Sequence, residues 1–349
     1  MSTDARAATL FGAEDLRVVE RDLGPLGPGM VRVRFAAGGI CGSDLHYFRH
    51  GRTGDFVLKE PLVLGHELAG EVVEIAGSAL GLAVGDHVAI NPSRWCGHCP
   101  RCLEGRQNLC ENVFFMGSAS KTPHMQGGFS SRFDVAAPQC VKVPRGLPFA
   151  AAALAEPLAV CLHAVGRAGE VAGRRAVVFG AGPIGLLTLL AARFAGAAEI
   201  AVADIAAAPL AFAKSLGADR TFDLSVGGSA LEACAAARSF DVAFEVSGTA
   251  AGLAAAIATV RRGGIVVQVG NLPGGDVPVP ANKVMAKELD LRGSFRFGSE
   301  FSAAVGLIAA GTIDVLRIVT AERPLAAAPE AFRLALDRSR SVKVVLTAA

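Results

Sequence analysis

The sequence predicts an α/β protein in which a doubly wound parallel sheet is joined to a second, β-rich region. Between about residues 148 and 285, apolar runs of four to six residues alternate with helical stretches, which is typical of buried parallel strands with helical crossovers. Up to about residue 147 the apolar runs lie between Gly and Pro turns, as at residues 31–35 and 84–90. That pattern indicates the strands of a β-rich domain.

Composition argues against several classes of function. The 34 basic and 32 acidic residues nearly balance and no basic patch stands out, so we expect no nucleic-acid partner. Residues 1–10 lack the apolar segment of a signal peptide, and no uninterrupted apolar stretch reaches about 18 residues. We therefore expect a cytoplasmic protein with no membrane association.

The elements of the parallel sheet follow one another in the order strand, helix, strand. We expect its strands at residues 176–179, 200–203, 242–246 and 265–269, and its helices at residues 183–195, 209–216 and 250–260. Residues 286–349 are mixed, with a strand at 289–297 and a helix at 301–310. Because the sheet already has its strands, we expect this last part to return to the β-rich domain. The predicted domains are 1–147 with 286–349, and 148–285.

A glycine-rich loop follows the first strand of the sheet and opens a helix. Its residues are Gly180, Ala181, Gly182, Pro183, Ile184 and Gly185. In a Rossmann unit the first Gly permits the turn, the second lets a pyrophosphate approach the backbone, and the third lets helix and strand pack closely. The helix N-terminus then offers free N–H groups to the phosphates. A plain glycine-rich turn is the alternative, but the order strand, loop, helix, strand and acid favours a dinucleotide site.

The acid in that order is Asp204, which follows the second strand. Its carboxylate would accept hydrogen bonds from the ribose 2′-OH of NAD and repel the 2′-phosphate of NADP. Residues 205–209 contain no Arg or Lys to hold that phosphate. The sequence therefore predicts NAD, and NADP is the disfavoured alternative.

Four of the eight cysteines lie close together in the β-rich region. Cys96, Cys99, Cys102 and Cys110 are separated by two, two and seven residues. Four thiolates at this spacing can surround one tetrahedral ion; zinc is the usual choice, and an iron–sulfur cluster is the alternative. A closed site of this kind has no open position, so we predict a structural zinc. We expect His98, inside the loop, to be exposed and not a ligand.

A second candidate metal site is dispersed along the chain. It comprises Cys41, His66 and Glu67. A catalytic zinc keeps about three protein ligands of mixed type and leaves one position open. Taken singly, the Cys would be a core residue and the His-Glu pair a surface turn; beside a four-Cys lobe and a dinucleotide loop, we favour a catalytic zinc.

Together these motifs resemble the zinc-containing medium-chain dehydrogenases. Gly65-His66-Glu67-x-x-Gly70, followed by Ala76, is similar to that family's zinc signature, and the order of all the motifs along the chain is the family's order. Glu156-Pro157-Leu158 resembles the sorbitol dehydrogenase-like, or polyol, branch. The resemblance covers essentially the whole chain and implies a GroES-like catalytic domain beside the Rossmann domain.

The resemblance also implies roles for residues around the catalytic zinc. Glu156 would join the three ligands directly or through a water. Ser43 and His46 match positions that relay the released proton towards solvent in the family. The substrate would contact four residues: Arg296, which matches the substrate-side Arg of sorbitol dehydrogenases; Phe297, where those enzymes have Tyr; Tyr47; and Phe115.

Further expectations concern the cofactor and the assembly. Besides the glycine-rich loop and Asp204, we expect the cofactor to contact Ser247, Val269, Gly270, Ser294 and Phe295. The resemblance implies a homo-oligomer, a dimer or a tetramer, built by joining the sheets of the cofactor domains.

The substrate prediction rests on resemblance alone. Within the polyol branch, residues 89–93 and 291–297 are similar to enzymes that act on the sugar acid L-idonate. The resemblance implies interconversion of L-idonate and 5-dehydro-D-gluconate with hydride transfer to NAD. Sorbitol, xylitol or threonine oxidation by the same machinery is the nearest alternative. A non-catalytic nucleotide-binding protein on this fold is the alternative from another class, disfavoured because the candidate ligands are present.

Overall fold

A computed structural model describes residues 4–77, 81–226 and 240–348, apart from the side chain of residue 226. Cys234 lies outside the described residues. The chain forms two compact units, Met1–Glu156 with Phe301–Ala349 (unit 1) and Pro157–Glu300 (unit 2).

The strands, in chain order, are β1 Asp4–Gly12, β2 Asp15–Asp22, β3 Met30–Gly39, β4 Arg52–Thr53, β5 Phe56–Val57, β6 Leu62–Val63, β7 Glu67–Ile75, β8 His87–Ile90, β9 Ser93–Arg94, β10 Phe114–Phe115, β11 Arg132–Ala136, β12 Cys140–Lys142, β13 Arg175–Phe179, β14 Glu199–Asp204, β15 Arg220–Asp223, β16 Phe240–Glu245, β17 Val260–Gln268, β18 Asp290–Gly293, β19 Val319–Pro324 and β20 Lys343–Thr347. The α-helices of the described residues are α1 Gly42–His50, α2 Pro100–Leu103, α3 Phe149–Ala153, α4 Ala155–Ala168, α5 Pro183–Phe194, α6 Ala207–Ser215, α7 Ala250–Thr259, α8 Ala281–Lys287, α9 Glu300–Ala309 and α10 Ala328–Leu336. Short 3₁₀ turns lie at Gln107–Leu109, Ala137–Gln139, Leu224–Val226, Val315–Ile318 and Leu325–Ala327.

Unit 1 is built around a sheet with the strand order β12-β8-β7-β3-β20-β19, in which β11 also pairs with β3. Its core includes Phe129, whose ring lies edge-on to Phe35 at 6.5 Å and to Phe332 at 6.2 Å between ring centroids. Strand β3 is antiparallel to both β7 and β20, so Gly39 at its end stands opposite Glu67 on one side. The end of β3, the start of β7 and strand β20, which are far apart in the sequence, therefore meet at one place.

Unit 2 is a six-stranded parallel sheet with the order β15-β14-β13-β16-β17-β18. The order reverses between β13 and β16, as in a doubly wound Rossmann fold. The central strands are apolar and buried, because helices cover such a sheet on both faces. The α/β fold class predicted from the sequence, with a Rossmann sheet beside a β-rich domain, is confirmed.

Two sequence interpretations of unit 2 are wrong. The strand expected at residues 289–297 is shorter, Asp290–Gly293, and it extends the parallel sheet beside β17 instead of returning to unit 1. Strand β15 at the opposite edge was not predicted at all. Both are edge strands with polar, partly exposed residues, so they lack the apolar run that marks a central strand.

The divisions between the units also differ from the predicted domain limits. Unit 2 begins after Glu156, inside α4, and ends at Glu300. Residues 149–153 form α3, which packs against β3, β7 and β8 of unit 1. Residues 290–293 belong to the unit 2 sheet through β18. In the described part of the chain, no helix combines the length and the apolar character needed to cross a membrane.

Candidate active site

Cys41, His66 and Glu67 come together in unit 1. Their ligand atoms all lie within 4.8 Å of one another. The register explains the meeting: Cys41 precedes α1, two residues beyond the end of β3, and Glu67 is the first residue of β7, opposite Gly39. His66 and Glu67 are buried and Cys41 is half-buried.

Glycines make room for this cluster. A side chain at Gly39 would overlap the Glu67 carboxylate and the Lys343 side chain. Gly65 has φ of +97° and faces the Phe129 ring, so an L-residue there would be strained and would also clash. The glycines that precede Cys41 and His66 in the sequence are therefore required by the packing of the site.

Lys343 is a member of this cluster that sequence reasoning missed. Its ammonium, on β20, donates to Glu67 Oε1 at 2.6 Å and to the Ile40 carbonyl at 2.8 Å, and Lys343 is only 2% exposed. Burial alone would lower the pKa of Lys343, but Glu67 and Cys41 raise it above its usual value. The only signal in the sequence was a cation inside the apolar strand Lys343–Thr347, which is ordinarily a solvated position.

Asp44 is a second residue that was not assigned a role. It is fully buried in α1 and accepts hydrogen bonds from the backbone N–H of Cys41 at 3.0 Å and of Gly65 at 3.2 Å. Its Oδ1 lies 3.7 Å from His66 Nδ1. Burial raises the pKa of Asp44, while His66 and the two N–H donors lower it. Asp44 thus ties the two ligand-bearing turns together and faces the ring of the candidate ligand, as carboxylates beside metal-binding histidines do.

Glu156 lies in the first turn of α4 and is 4% exposed. Burial raises its pKa to about 8; Glu67 and Cys41 act in the same direction, and His66 and Lys343 oppose them. Glu156 is not one of the three residues whose ligand atoms lie within 4.8 Å of one another. Its part in binding a metal, direct or through water, stays a prediction.

The donor set suits a zinc ion with an open position. It supplies a thiol, an imidazole and a carboxylate, the mixed ligands of catalytic zinc. Burial, and to a lesser extent the Glu67 carboxylate, raise the pKa of Cys41 to about 11, and the Lys343 ammonium opposes them. Glu67 Oε2 lies 2.6 Å from Lys343 Nζ, and the His66 ring turns its Nδ1 towards Asp44. A divalent cation held by the three ligand atoms would further offset the negative charge of the buried Glu67 carboxylate.

The proposed relay residues lie on α1, directly after Cys41. Ser43 is half-buried, and its hydroxyl lowers the pKa of the Cys41 thiol against the larger effect of burial. His46 is exposed, with its ring centroid 6.1 Å from that of His50. Partial desolvation and the nearby His50 lower the pKa of His46.

Two predicted pocket residues of unit 1 have different surroundings. The Phe115 ring centroid lies 5.3 Å from that of His66, next to the candidate metal ligands. Tyr47 is 2% exposed in the core, and its hydroxyl accepts a hydrogen bond from the Ala119 N–H at 3.0 Å. The place of Tyr47 in a substrate pocket stays a prediction.

Cys96, Cys99, Cys102 and Cys110 also form one cluster, with sulfur atoms within 4.8 Å of one another. The Cys96 sulfur lies 3.5 Å from that of Cys110 and 4.0 Å from that of Cys102. A tetrahedron with zinc–sulfur bonds of about 2.3 Å has edges of about 3.8 Å, so the cluster fits the ion. Backbone N–H groups of His98 and Cys99 lower the pKa of Cys96 to about 6. The His98 side chain itself is exposed, as expected.

The glycine-rich loop of unit 2 has the geometry its sequence predicts. Gly182 is the N-cap of α5 and Pro183 its first residue, followed by Ile184. A side chain at Gly185 would overlap the Gly180 carbonyl, and Gly180 has φ of +106°.

Asp204, at the end of β14, is bonded to this loop. It accepts hydrogen bonds from the N–H of Ala181 at 2.7 Å and of Ala206 at 3.0 Å. Cys161, the cysteine nearest Glu156 in sequence, donates its thiol proton to the Ile184 carbonyl.

The other predicted cofactor residues follow neighbouring strands of the same sheet. The N–H groups of Val269 and Gly270 both donate to the Glu245 carbonyl at 2.8 and 2.9 Å, and Ser294 N–H donates to the Gln268 carbonyl at 2.9 Å. Ser247 donates to the Glu245 carboxylate, a buried group that sequence reasoning missed.

The predicted substrate residues of unit 2 adjoin Phe295. Arg296 has the left-handed φ of 54° and its guanidinium lies 4.8 Å from the Phe295 ring centroid; Phe297 is buried.

The chain matches two known families. Residues 27–145 match the alcohol dehydrogenase GroES-like domain, and residues 183–310 match the zinc-binding dehydrogenases. L-idonate 5-dehydrogenase (NAD(P)(+)) of Escherichia coli K12 is 40% identical over 347 residues, 99% of each chain, and a crystal structure of the E. coli L-idonate 5-dehydrogenase superposes with a TM-score of 0.94 over 99% of each. Sorbitol dehydrogenase of Gallus gallus is 38% identical over 350 residues, 97% of this chain and 95% of that one. A Sinorhizobium meliloti putative zinc-binding dehydrogenase, bound to NADP, is 32% identical, with a TM-score of 0.88 over 99% of each chain.

The fold and these matches define the class of protein as a zinc-binding, nicotinamide-dependent dehydrogenase. The chain belongs to the zinc-containing medium-chain dehydrogenase family, within its polyol branch, and the resemblance read from the motifs is confirmed.

Proposed function

We propose that the protein interconverts L-idonate and 5-dehydro-D-gluconate with hydride transfer to NAD. The observation that carries the dehydrogenase chemistry is the meeting of Cys41, His66 and Glu67 within 4.8 Å. The choice of L-idonate rests on the similarity to the E. coli enzyme named for that sugar acid, at 40% identity.

The proposed mechanism assigns a task to each residue around the cluster. A zinc ion held by Cys41, His66 and Glu67 would supply Lewis acidity that lowers the pKa of a substrate hydroxyl. Lys343 keeps the Glu67 carboxylate in place and Asp44 orients the His66 ring. Ser43 and His46 carry the released proton towards solvent; the lowered pKa of His46 keeps its ring neutral at pH 7 and able to accept that proton.

We propose two zinc ions per chain, the second in the four-Cys lobe. Cys102→Ser is then expected to reduce the zinc content from about two ions to one and to lower the free energy of unfolding by at least about 3 kcal/mol, because ligand binding free energy contributes to folding. Elemental analysis and chemical denaturation measure the two quantities. Cys140→Ser, outside both clusters, is the control. Unchanged zinc content in the Cys102 variant would contradict a metal in the lobe.

The proposed preference for NAD depends on Asp204. Asp204→Asn removes the charge that repels a 2′-phosphate and keeps one of the two oxygens that accept from the Ala181 and Ala206 N–H groups. We expect the ratio of kcat/KM for NAD over NADP to fall by about tenfold, equivalent to about 1.4 kcal/mol. Asp219→Asn serves as the control, because Asp219 binds Ile200 N–H at the opposite ends of the strands. If Asp204→Asn leaves the ratio of kcat/KM for NAD over NADP unchanged, Asp204 does not determine the cofactor preference.

Arg296 and Phe297 are the proposed substrate contacts in unit 2. A guanidinium binds a carboxylate in bidentate fashion, which suits a sugar acid. The left-handed backbone of Arg296 supports this assignment, because strain of this kind at a non-glycine residue is concentrated at functional sites.

The function is tested by a substrate panel of L-idonate, sorbitol, xylitol and threonine, followed by nicotinamide absorbance. L-idonate is expected to give the highest kcat/KM. The similarity to sorbitol dehydrogenase favours polyol oxidation as the second candidate. A clear preference for sorbitol would replace the idonate assignment with that one, and no turnover of any of the four by zinc-loaded protein would contradict both.

We further propose that the protein is cytoplasmic and forms a dimer or tetramer. The proposal follows from the family resemblance, and sedimentation of the purified protein measures the assembly.

A further inference from the structure

We propose that the Ser247 hydroxyl is a specificity contact for a hydrogen-bond donor on the nicotinamide ribonucleoside half of the cofactor, and that Glu245 positions it as an acceptor. The donor is a ribose hydroxyl or the carboxamide N–H₂. This inference rests on the proposed binding of a nicotinamide dinucleotide to unit 2.

The position of Ser247 in the fold is the first argument. It follows β16, the strand beside β13 at the point where the strand order reverses, and ligands bind doubly wound sheets outside the strand ends at this point. A Cβ on Gly180 of the glycine-rich loop would lie 3.0 Å from Ser247 N, so the two turns are in contact. Asp204, the expected partner of the adenosine ribose, follows β14 on the other side of β13. Ser247 therefore lies on the side that serves the other half of a dinucleotide.

Glu245 is fully buried at the end of β16 and binds the turn that carries Ser247. Its Oε1 accepts hydrogen bonds from the N–H of Ser247 at 2.8 Å, from the N–H of Gly248 at 3.0 Å, and from the Ser247 hydroxyl. With backbone N–H groups among its donors, this oxygen acts as an acceptor, and the Ser247 hydroxyl must supply the proton in their mutual bond.

The Ser247 hydroxyl has no proton left to donate to a ligand. A serine hydroxyl has one proton and two lone pairs, and the proton is committed to Glu245. Thr249 Oγ1 lies 2.9 Å from Ser247 Oγ, and because the Ser247 proton is already committed, Thr249 is the donor of this pair. One lone pair remains on Ser247, which is an exposed residue. The hydroxyl can therefore only accept, which disfavours phosphate oxygens and suits the ribose hydroxyls and the carboxamide.

The experiment measures dissociation constants of the zinc-loaded full chain by calorimetry. Ser247→Ala is expected to raise the Kd of NAD by about five- to tenfold, the range for one neutral hydrogen bond, and to leave the Kd of AMP unchanged. Ser247→Thr keeps the hydroxyl and is expected to bind NAD within about twofold of the unmodified chain. Ser339→Ala is the matched control, because Ser339 makes the same N–H and hydroxyl bonds to Asp337 in unit 1.

Two further ligands identify the donor. ADP-ribose has the ribose hydroxyls without nicotinamide, and 3-acetylpyridine adenine dinucleotide lacks the carboxamide N–H₂. Weaker binding of both to Ser247→Ala supports a ribose hydroxyl, whereas loss confined to NAD supports the carboxamide. The role of Glu245 is tested by a double-mutant cycle: Glu245→Gln is expected to weaken NAD binding in the unmodified chain, and to change the ratio of the NAD and AMP constants little once Ser247 is Ala.

Three outcomes overturn the inference. The first is a Kd for NAD in Ser247→Ala within about twofold of that of Ser339→Ala. The second is an equal loss of AMP affinity, which would mark a general change in the fold of the loop. The third is an additive effect of Glu245→Gln in the cycle. Failure of the unmodified chain to bind any dinucleotide would instead overturn the proposed function, so the two failures are distinguishable.

Discussion

The Cys41→Ser variant is expected to lose at least about three orders of magnitude in kcat while its Kd for NAD stays within about twofold. Stabilisation of developing negative charge by a bound metal is worth several kcal/mol, and each 1.4 kcal/mol is about tenfold in rate. Cys41 contributes one of the three ligand atoms that meet within 4.8 Å, whereas the glycine-rich loop belongs to the other unit. Kinetics on the best substrate of the panel and calorimetry with NAD measure the two quantities.

The control for Cys41→Ser is Cys140→Ser, a half-buried cysteine of β12 outside both cysteine clusters. It is expected to retain at least about half of the turnover. Elemental analysis should also find about one zinc ion fewer in the Cys41 variant than in the control. Full turnover by Cys41→Ser would exclude the proposed zinc site as the catalytic centre, even if the four-Cys lobe holds its ion.

Lys343→Met is expected to lower the free energy of unfolding of the metal-free protein by about 3–5 kcal/mol. Removing one partner of a buried ion pair leaves an uncompensated charge, here Glu67, whose residue is 1% exposed. Chemical denaturation in the presence of a chelator measures the loss. Added zinc should reduce the difference in free energy of unfolding between Lys343→Met and the unmodified chain, because the ion neutralises Glu67 in place of the ammonium.

Lys142→Met is the matched control for this variant. Lys142 pairs with Asp86 at 2.8 Å, but its side chain is 55% exposed, and an exposed pair of this kind contributes about 0–1 kcal/mol. A second comparison is Lys343→Met combined with Glu67→Gln. The double variant removes the unpaired Glu67 charge and should recover part of the lost free energy of unfolding. If Lys343→Met lowers the free energy of unfolding no more than Lys142→Met does, the buried pair of Lys343 and Glu67 does not stabilise the fold.

The parts of the molecule that the sequence predicted are those with a local signal. The central strands of unit 2 are apolar runs, and the lobe around Cys96–Cys110 is marked by close spacing of its ligands. The edge strands Arg220–Asp223 and Asp290–Gly293 have polar, partly exposed residues, so the sequence has no apolar run there from which to predict a strand.

The parts that were missed depend on contacts between distant segments or on buried charge. Lys343 lies 276 residues from Glu67 and 303 from Ile40, and a lysine in a strand is ordinarily solvated. Asp44 and Glu245 are buried carboxylates whose partners are mainly backbone N–H groups. Because almost every residue has such a group, these partners leave no pattern in the sequence.

The insertion of β20 between β3 and β19 has a consequence for the order of events during synthesis. Translation makes Glu67 long before Lys343, with the whole of unit 2 in between. A nascent chain that emerges from the ribosome can therefore complete the parallel sheet of unit 2 before the cation that neutralises the Glu67 carboxylate exists. Since domains tend to fold as they emerge, we expect the candidate metal site to be the last part to be finished. Shortening the chain to end before residue 343 would leave that site incomplete while sparing the sheet of unit 2.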